Sequence, residues 1–205
     1  KSSFKPALKL GVLLLALSCI IIALVNPKMG TKMETVKRQG IDIVFAVDIS
    51  KSMLAEDVAP NRLEKTKQIV SQIINQLGND RVGIVGYAGS AYPVLPMTTD
   101  YSIAKMYLQS MNTNMVSSQG TAFNDAIQLA ADFFDVKDTS KLIILISDGE
   151  DHGEGAEDAI EMAKEKGVRI LTIGVGTEKG GPIPLRDDKG TIVSYKKDSE
   201  GQTVT

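Results

Sequence analysis

The chain has 205 residues, of which 43% are hydrophobic and 23% charged, and its formal net charge is −2. That composition is close to an ordinary globular protein, with no internal repeat or low-complexity stretch. The charge is uneven: residues 1–38 hold seven Lys/Arg and one Glu, whereas the remainder holds 16 basic and 24 acidic residues. An acidic main body lacks the electrostatic footprint of a nucleic-acid-binding domain. One membrane segment plus one globular domain is the natural division, and without an initiator Met the chain is expected to be a piece of a longer protein.

Leu10–Val25 carries no charge and is flanked by Lys9 and by Asn26-Pro27-Lys28. Extended back through Pro6, with Lys9 reaching to the headgroups, it attains the ~20 residues that cross a bilayer. The reading is a transmembrane helix; a cleaved signal peptide is the competing one. Three lysines precede the span and four basic residues follow it, so charge does not decide orientation. The lone cysteine, Cys19, lies within the span and leaves the rest of the chain without a disulfide.

Beyond Gly40 strands and helices alternate. Ile41–Val47 is a near-continuous apolar run, as expected of a strand buried on both faces. A helix opens at Pro60-Asn61-Arg62, with Leu63, Val70, Ile73, Ile74 and Leu77 near the helical period, and stops at Gly78-Asn79-Asp80. Arg81–Tyr87 is a second strand, and Ala91–Leu95 a short one that Pro93 confines to an edge. Tyr101–Met111 and Ala122–Phe134 read as helices, Leu142–Ile146 as the most apolar strand, Ala156–Lys166 as a helix and Val168–Val175 as a strand. A polar tail follows Gly180-Gly181, with a hairpin around Asp188-Lys189-Gly190. This alternation predicts an α/β fold with a doubly wound, mostly parallel sheet, whose ligand site lies at the carboxyl ends of the strands. The division is 1–39 for the anchor and basic linker, 40–178 for the domain, and 179–205 for an extra hairpin or incomplete C-terminal part.

Three segments carry oxygen ligands, two of them at such strand ends. Asp48-Ile49-Ser50-Lys51-Ser52 follows the first strand, Gly120-Thr121 opens a helical segment, and Ser147-Asp148-Gly149 closes Leu142–Ile146. Asp48, Ser50, Ser52, Thr121 and Asp148 together suit a hard divalent cation, which prefers oxygen ligands. Each piece has a plainer reading: Asp and Ser after a strand form Asx-turns or helix caps, Thr121 a cap, and Asp148-Gly149 a turn. Their joint appearance in this order favours the metal. Glu150, Asp151, Glu154, Glu157 and Asp158 read as a solvated loop favouring the next helix's N-terminus, or as an acidic rim. His152, the lone histidine, reads as an exposed loop residue. Met53, Met106, Met111, Met115 and Phe133-Phe134 read as core. Tyr87 and Tyr92 flank a Gly-rich turn near the expected ligand face and are candidates for lining a partner surface.

The pattern Asp48-x-Ser50-x-Ser52 with distant Thr121 and Asp148 resembles the metal-ion-dependent adhesion site (MIDAS) of von Willebrand factor A domains. It is closer still to the Bacteroides aerotolerance (Bat) membrane proteins of the BatB-like group. Gly40–Val44, Ser52–Asp57, Pro60–Glu64, Leu95–Tyr101, Gln119–Ala122 and Gly181–Pro184 carry that closer match. The resemblance implies a Rossmann-like von Willebrand A fold in a bacterial inner-membrane protein, with the domain in the periplasm and further helices beyond the chain. It also implies a non-enzymatic module in which Mg²⁺, or Mn²⁺ or Ca²⁺, binds an acidic residue of a partner protein. Other Bat proteins are the implied partners, and a MoxR-type AAA+ ATPase is implied in the same pathway. The alternatives are a Mg²⁺-dependent phosphoryl hydrolase with Asp48 as nucleophile, and a structural subunit with a vestigial site. The first wants a second carboxylate where Ser50 stands. The tail from Pro182 departs from a minimal A domain, which would pass from its last strand into a final helix.

Overall fold

The structure is a computed structural model that describes residues 4–25, 40–116, 122–136, 139–149, 156–187, 190–197 and 201–204. The chain divides into two compact units, Lys1–Lys37 and Arg38–Thr205.

In the first unit, Phe4–Val25 forms a 22-residue helix, α1, with no acid in its first turn. At 1.5 Å per residue it is about 33 Å long, enough to span a hydrocarbon core of about 30 Å. Phe4–Leu24 has a mean hydropathy of 2.6 and none of it is buried in protein, so α1 is a candidate membrane span. Ser18 donates its hydroxyl to the Leu14 carbonyl, 2.8 Å away, so this polar group is satisfied within the helix.

The second unit is built on a five-stranded sheet. Its strands are β1 (Ile41–Asp48), β2 (Arg81–Tyr87), β3 (Ala91–Thr98), β4 (Ser140–Ser147) and β5 (Val168–Gly174), in the order β3-β2-β1-β4-β5. All pairings are parallel except β2 with β3. The edge position expected from Pro93 is borne out, and the antiparallel direction agrees with the short Gly89-Ser90 turn joining the two strands. The helices are α2 (Arg62–Gln76), α3 (Tyr101–Ser110), α4 (Phe123–Asp132) and α5 (Ala156–Glu165). Alternation along β1 feeds two cores. Ile43, Phe45 and Val47 pack with Leu63, Val70 and Ile74 of α2 and Leu108 of α3. Val44 and Ala46 pack with Ala126, Ile127 and Ala130 of α4 and Ala159 and Ala163 of α5. Burial on both faces explains the near-continuous apolar run of β1. The tail forms a two-stranded antiparallel hairpin, β6 (Pro184–Arg186) and β7 (Ile192–Tyr195). Asp188 and Lys189 of its expected turn lie outside the described residues.

Two side-chain expectations need correction. Tyr87 is core, not partner surface: it is fully buried, its hydroxyl donates to the Ile146 carbonyl at 3.1 Å, and its ring meets Phe123 edge-on. Of the methionines read as core, Met53 and Met111 are buried, but Met106 is 62% and Met115 44% exposed. Scattered methionines lack the periodicity that would separate the two pairs beforehand.

Candidate metal centre

In a sheet ordered β3-β2-β1-β4-β5, the chain turns from one side of β1 to the other between β1 and β4. Such a switch point opens a crevice at the carboxyl ends of the strands. Asp48 ends β1 and Ser147 ends β4, so the two ligand-bearing loops leave the sheet side by side.

Asp48 is fully buried and held by neutral donors. Its Oδ1 accepts from the Ser50 N–H at 2.8 Å and its Oδ2 from the Ser147 hydroxyl at 2.9 Å. The Gly149 N–H in turn donates to the Ser147 oxygen at 3.2 Å. After Asp48 the chain makes a short 3-10 turn, Lys51–Leu54, preceded by Ser50 in extended conformation. This turn brings the hydroxyls of Ser50 and Ser52 to 2.8 Å from each other, both buried. Lys51 between them is exposed.

Asp148 has a side chain with no solvent exposure, and its Oδ2 accepts from Arg62 Nη1 at 3.0 Å. Its Oδ1 is buried without a hydrogen-bond partner, one of two such side-chain atoms among the described residues. Buried polar atoms are nearly always paired, so an orphaned carboxylate oxygen close to a second buried carboxylate fits a cation ligand. Burial pushes Asp48 up to about 6, and the nearby charge of Asp148 adds to that rise against the lowering bonds from Ser50 and Ser147. Two buried carboxylates in mutual repulsion would be relieved by a positive ion between them. Among the described residues no group of three or more His, Cys, Asp or Glu could hold a metal, so a cation here would depend on hydroxyls and water.

Ala122, at the start of α4, donates its N–H to the Ala88 carbonyl just beyond β2 at 2.7 Å, on the same end of the sheet. Thr121 itself lies outside the described residues, as do Glu150, Asp151, His152 and Glu154. Glu157 and Asp158 are exposed in the first turn of α5, where acids suit the helix N-terminus.

Arg62, Asp57 and Ser147 are the residues that sequence reasoning missed. Arg62 opens α2 behind the Asn61 cap, whose Oδ1 accepts from the Glu64 N–H at 2.8 Å. Its buried guanidinium donates to both oxygens of Asp57, at 2.8 and 3.0 Å, as well as to Asp148. Asp57 also accepts from the N–H and hydroxyl of Thr177, just past β5, at 2.8 and 3.0 Å. Arg62 beside it holds the Asp57 carboxyl down at about 2. Gly181 fits this clamp because a Cβ there would come within 2.7 Å of Asp57 Cβ. Beside the serine loop lies a groove lined by Lys51, Leu54, Asn61, Asn114 and Leu185.

The von Willebrand factor type A domain matches residues 42–187, the greater part of the chain. The chain belongs to that family. Its mostly parallel sheet flanked by helices is the von Willebrand A fold, as expected from the motif. Two solved Bacteroides proteins resemble it well above the level that fold alone implies. BatB from Bacteroides thetaiotaomicron is 44% identical with a TM-score of 0.75, covering 80% of this chain and 79% of that one. An aerotolerance-related membrane protein from Bacteroides fragilis NCTC 9343, with multiple mutations to serines, is 40% identical with a TM-score of 0.75 and 80% coverage of each chain. A protein of Mycolicibacterium paratuberculosis named only as a UPF0353 protein is 34% identical over 197 residues, covering 90% of this chain. This von Willebrand A chain spans 58% of that relative's length. Proximal thread matrix protein 1 from the mussel byssus shares the fold at 24% identity and a TM-score of 0.59; in that structure zinc occupies its MIDAS motif.

Proposed function

We propose that this protein is a membrane-anchored interaction module that binds an acidic residue of a partner protein through a divalent cation. The observation that carries the reading is the buried, unpartnered Oδ1 of Asp148, beside Asp48 and the paired hydroxyls of Ser50 and Ser52. Asp48, Ser50, Ser52, Thr121 and Asp148 are the proposed ligand set. An oxygen set of this kind suits Mg²⁺, with Mn²⁺ or Ca²⁺ as substitutes. The zinc in the MIDAS of the mussel protein supports cation binding at this position of the fold.

The bound cation would supply an electrophilic position for an incoming carboxylate. The chain's own residues do the rest. Ser50 and Ser52 offer neutral oxygens, so little of the cation's charge is cancelled by the protein and a partner's Asp or Glu has something to bind. Ser147 and the Ser50 amide fix the Asp48 carboxylate in place. Lys51, exposed between the two serines, adds a positive charge at the rim, and the groove beside it offers room for the segment that carries the acid. Metal and partner would bind cooperatively, each raising the affinity of the other.

By its likeness to the two Bacteroides proteins, the proposed setting is a bacterial inner membrane with the domain in the periplasm and other Bat proteins as partners. A functional link to a MoxR-type ATPase rests on the family resemblance alone. The test is mass spectrometry of proteins co-purifying with the chain from membranes, in Mg²⁺, in chelator and with Asp48→Ala. Partners retained only with metal and an intact site are the expected result. The same partners in all three preparations would refute the reading, and phosphatase turnover lost in Asp48→Ala would replace it with a hydrolase.

A further inference from the structure

Asp148 is served by a positive charge before any metal is considered. Arg62 Nη1 lies 3.0 Å from its Oδ2, and the buried guanidinium also donates from Nε and Nη2 to Asp57. Asp48, by contrast, receives only neutral donors. The crevice therefore contains two buried carboxylates and one guanidinium that touches only the second.

We propose that Arg62 is the built-in counter-charge of the cation site: it holds the metal-free site together and, by occupying Asp148 Oδ2, sets the cation's affinity from within. The proposal rests on the reading that Asp48 and Asp148 hold a divalent cation. Its physical basis is a conflict of charges. A cation bound at Asp148 Oδ1 would sit one carboxylate away from a fixed guanidinium. In a partly desolvated crevice, the Coulomb repulsion between a single and a double positive charge at that separation outweighs the benefit of one orienting hydrogen bond. Arg62 thus favours the empty state and weakens the loaded one, which keeps the cation exchangeable.

Asp57 modulates the conflict. It binds Arg62 through both oxygens and so neutralises part of the guanidinium charge, while its bonds to Thr177 join the arrangement to the segment after β5. Removing Arg62 and removing the Asp57 charge must then act in opposite directions on the cation. A purely structural role for the clamp predicts weaker binding from both.

The test is isothermal titration of the whole chain in detergent with MgCl₂ and with MnCl₂, for wild type, Arg62→Gln, Arg62→Lys and Asp57→Asn. Close charge couplings of the usual size predict affinity raised about tenfold in Arg62→Gln and lowered about threefold in Asp57→Asn. Arg62→Lys, which keeps the charge, stays near wild type. The melting midpoint of the cation-free protein falls in Arg62→Gln, and saturating Mg²⁺ recovers more of it than in wild type. Weaker or unchanged binding in Arg62→Gln, with wild type binding normally, overturns the proposal alone. No cation uptake by any of the four chains overturns the cation reading along with it. If Arg62→Gln does not fold, Asp57→Asn decides: unchanged or tighter binding there is the contradicting result.

Discussion

The two ends of β1 each carry a buried aspartate, Asp42 bonded to an arginine and Asp48 to neutral donors alone, and they are built to opposite purposes. At the amino end, Asp42 accepts from Arg81 Nε at 2.9 Å and Nη2 at 2.6 Å, and from the Thr139 hydroxyl at 2.7 Å. Arg81 spends a further donor on Asp135 at 2.6 Å. Charge and lone pairs are satisfied inside the protein, which is how a structural clamp looks. At the carboxyl end, Asp48 has neutral donors only, Asp148 shares an arginine with Asp57, and one carboxylate oxygen is left over. The same residue types thus make a closed clamp at one end and an unfinished coordination shell at the other. What separates them is the use of each lone pair, not the number of acids.

That contrast can be broken most strongly at the clamp. Asp42→Ala leaves a mostly buried Arg81 with only the exposed Asp135 as an acidic partner, and loss of the buried member of such a pair costs about 3 kcal/mol. Urea unfolding followed by circular dichroism should show that loss with Mg²⁺ affinity unchanged; a fall in Mg²⁺ affinity would mean that the two ends are not separate.

Acid should act next, through Asp57. Its folded value near 2 lies below the ordinary 3.8, so it contributes stability that is fully present above about pH 4 and lost as pH falls through about 2. The contribution is about 2 kcal/mol, and Asp57→Asn should flatten that part of the unfolding free energy measured against pH. An unchanged acid limb in the variant would dissociate Asp57 from the clamp.

Ser50→Ala and Ser52→Ala sharpen the contrast from the other side. Each should weaken Mg²⁺ binding about tenfold, measured by titration calorimetry, while moving metal-free stability by no more than about 1 kcal/mol. Equal losses of metal-free stability and affinity would make the serines structural. The smallest effect belongs to Glu56→Gln, which removes the ion pair with Arg186 of the hairpin. Both partners are well exposed, so the change in unfolding free energy should stay below about 1 kcal/mol with Mg²⁺ affinity unaltered.

The legible features were those written locally. β1 announced itself by a near-continuous apolar run, and the Asp48-x-Ser50-x-Ser52 loop by spacing within five consecutive residues. The end of β4 placed Asp148 because the order of strands and helices already implied adjacent carboxyl ends. Arg62 could be read only as the opening of a helix, since its partners lie five residues back and 86 residues ahead. Nothing local distinguishes an arginine that will be buried against two carboxylates from one in solvent. Gly181 resembled an ordinary tail glycine for the same reason: what it must avoid, Asp57, is distant in sequence. Ser147 was read as the close of a strand, although its hydroxyl serves Asp48 across the sheet.

Whether Asp48, Ser50, Ser52 and Asp148 hold a cation is decided by anomalous diffraction at the manganese edge from crystals of the chain grown with Mn²⁺. One strong peak is expected at the carboxyl ends of β1 and β4, about 2.2 Å from the Ser50 and Ser52 hydroxyl oxygens and within reach of Asp48 and Asp148. No peak there, or manganese bound only elsewhere on the surface, would contradict a cation at that site.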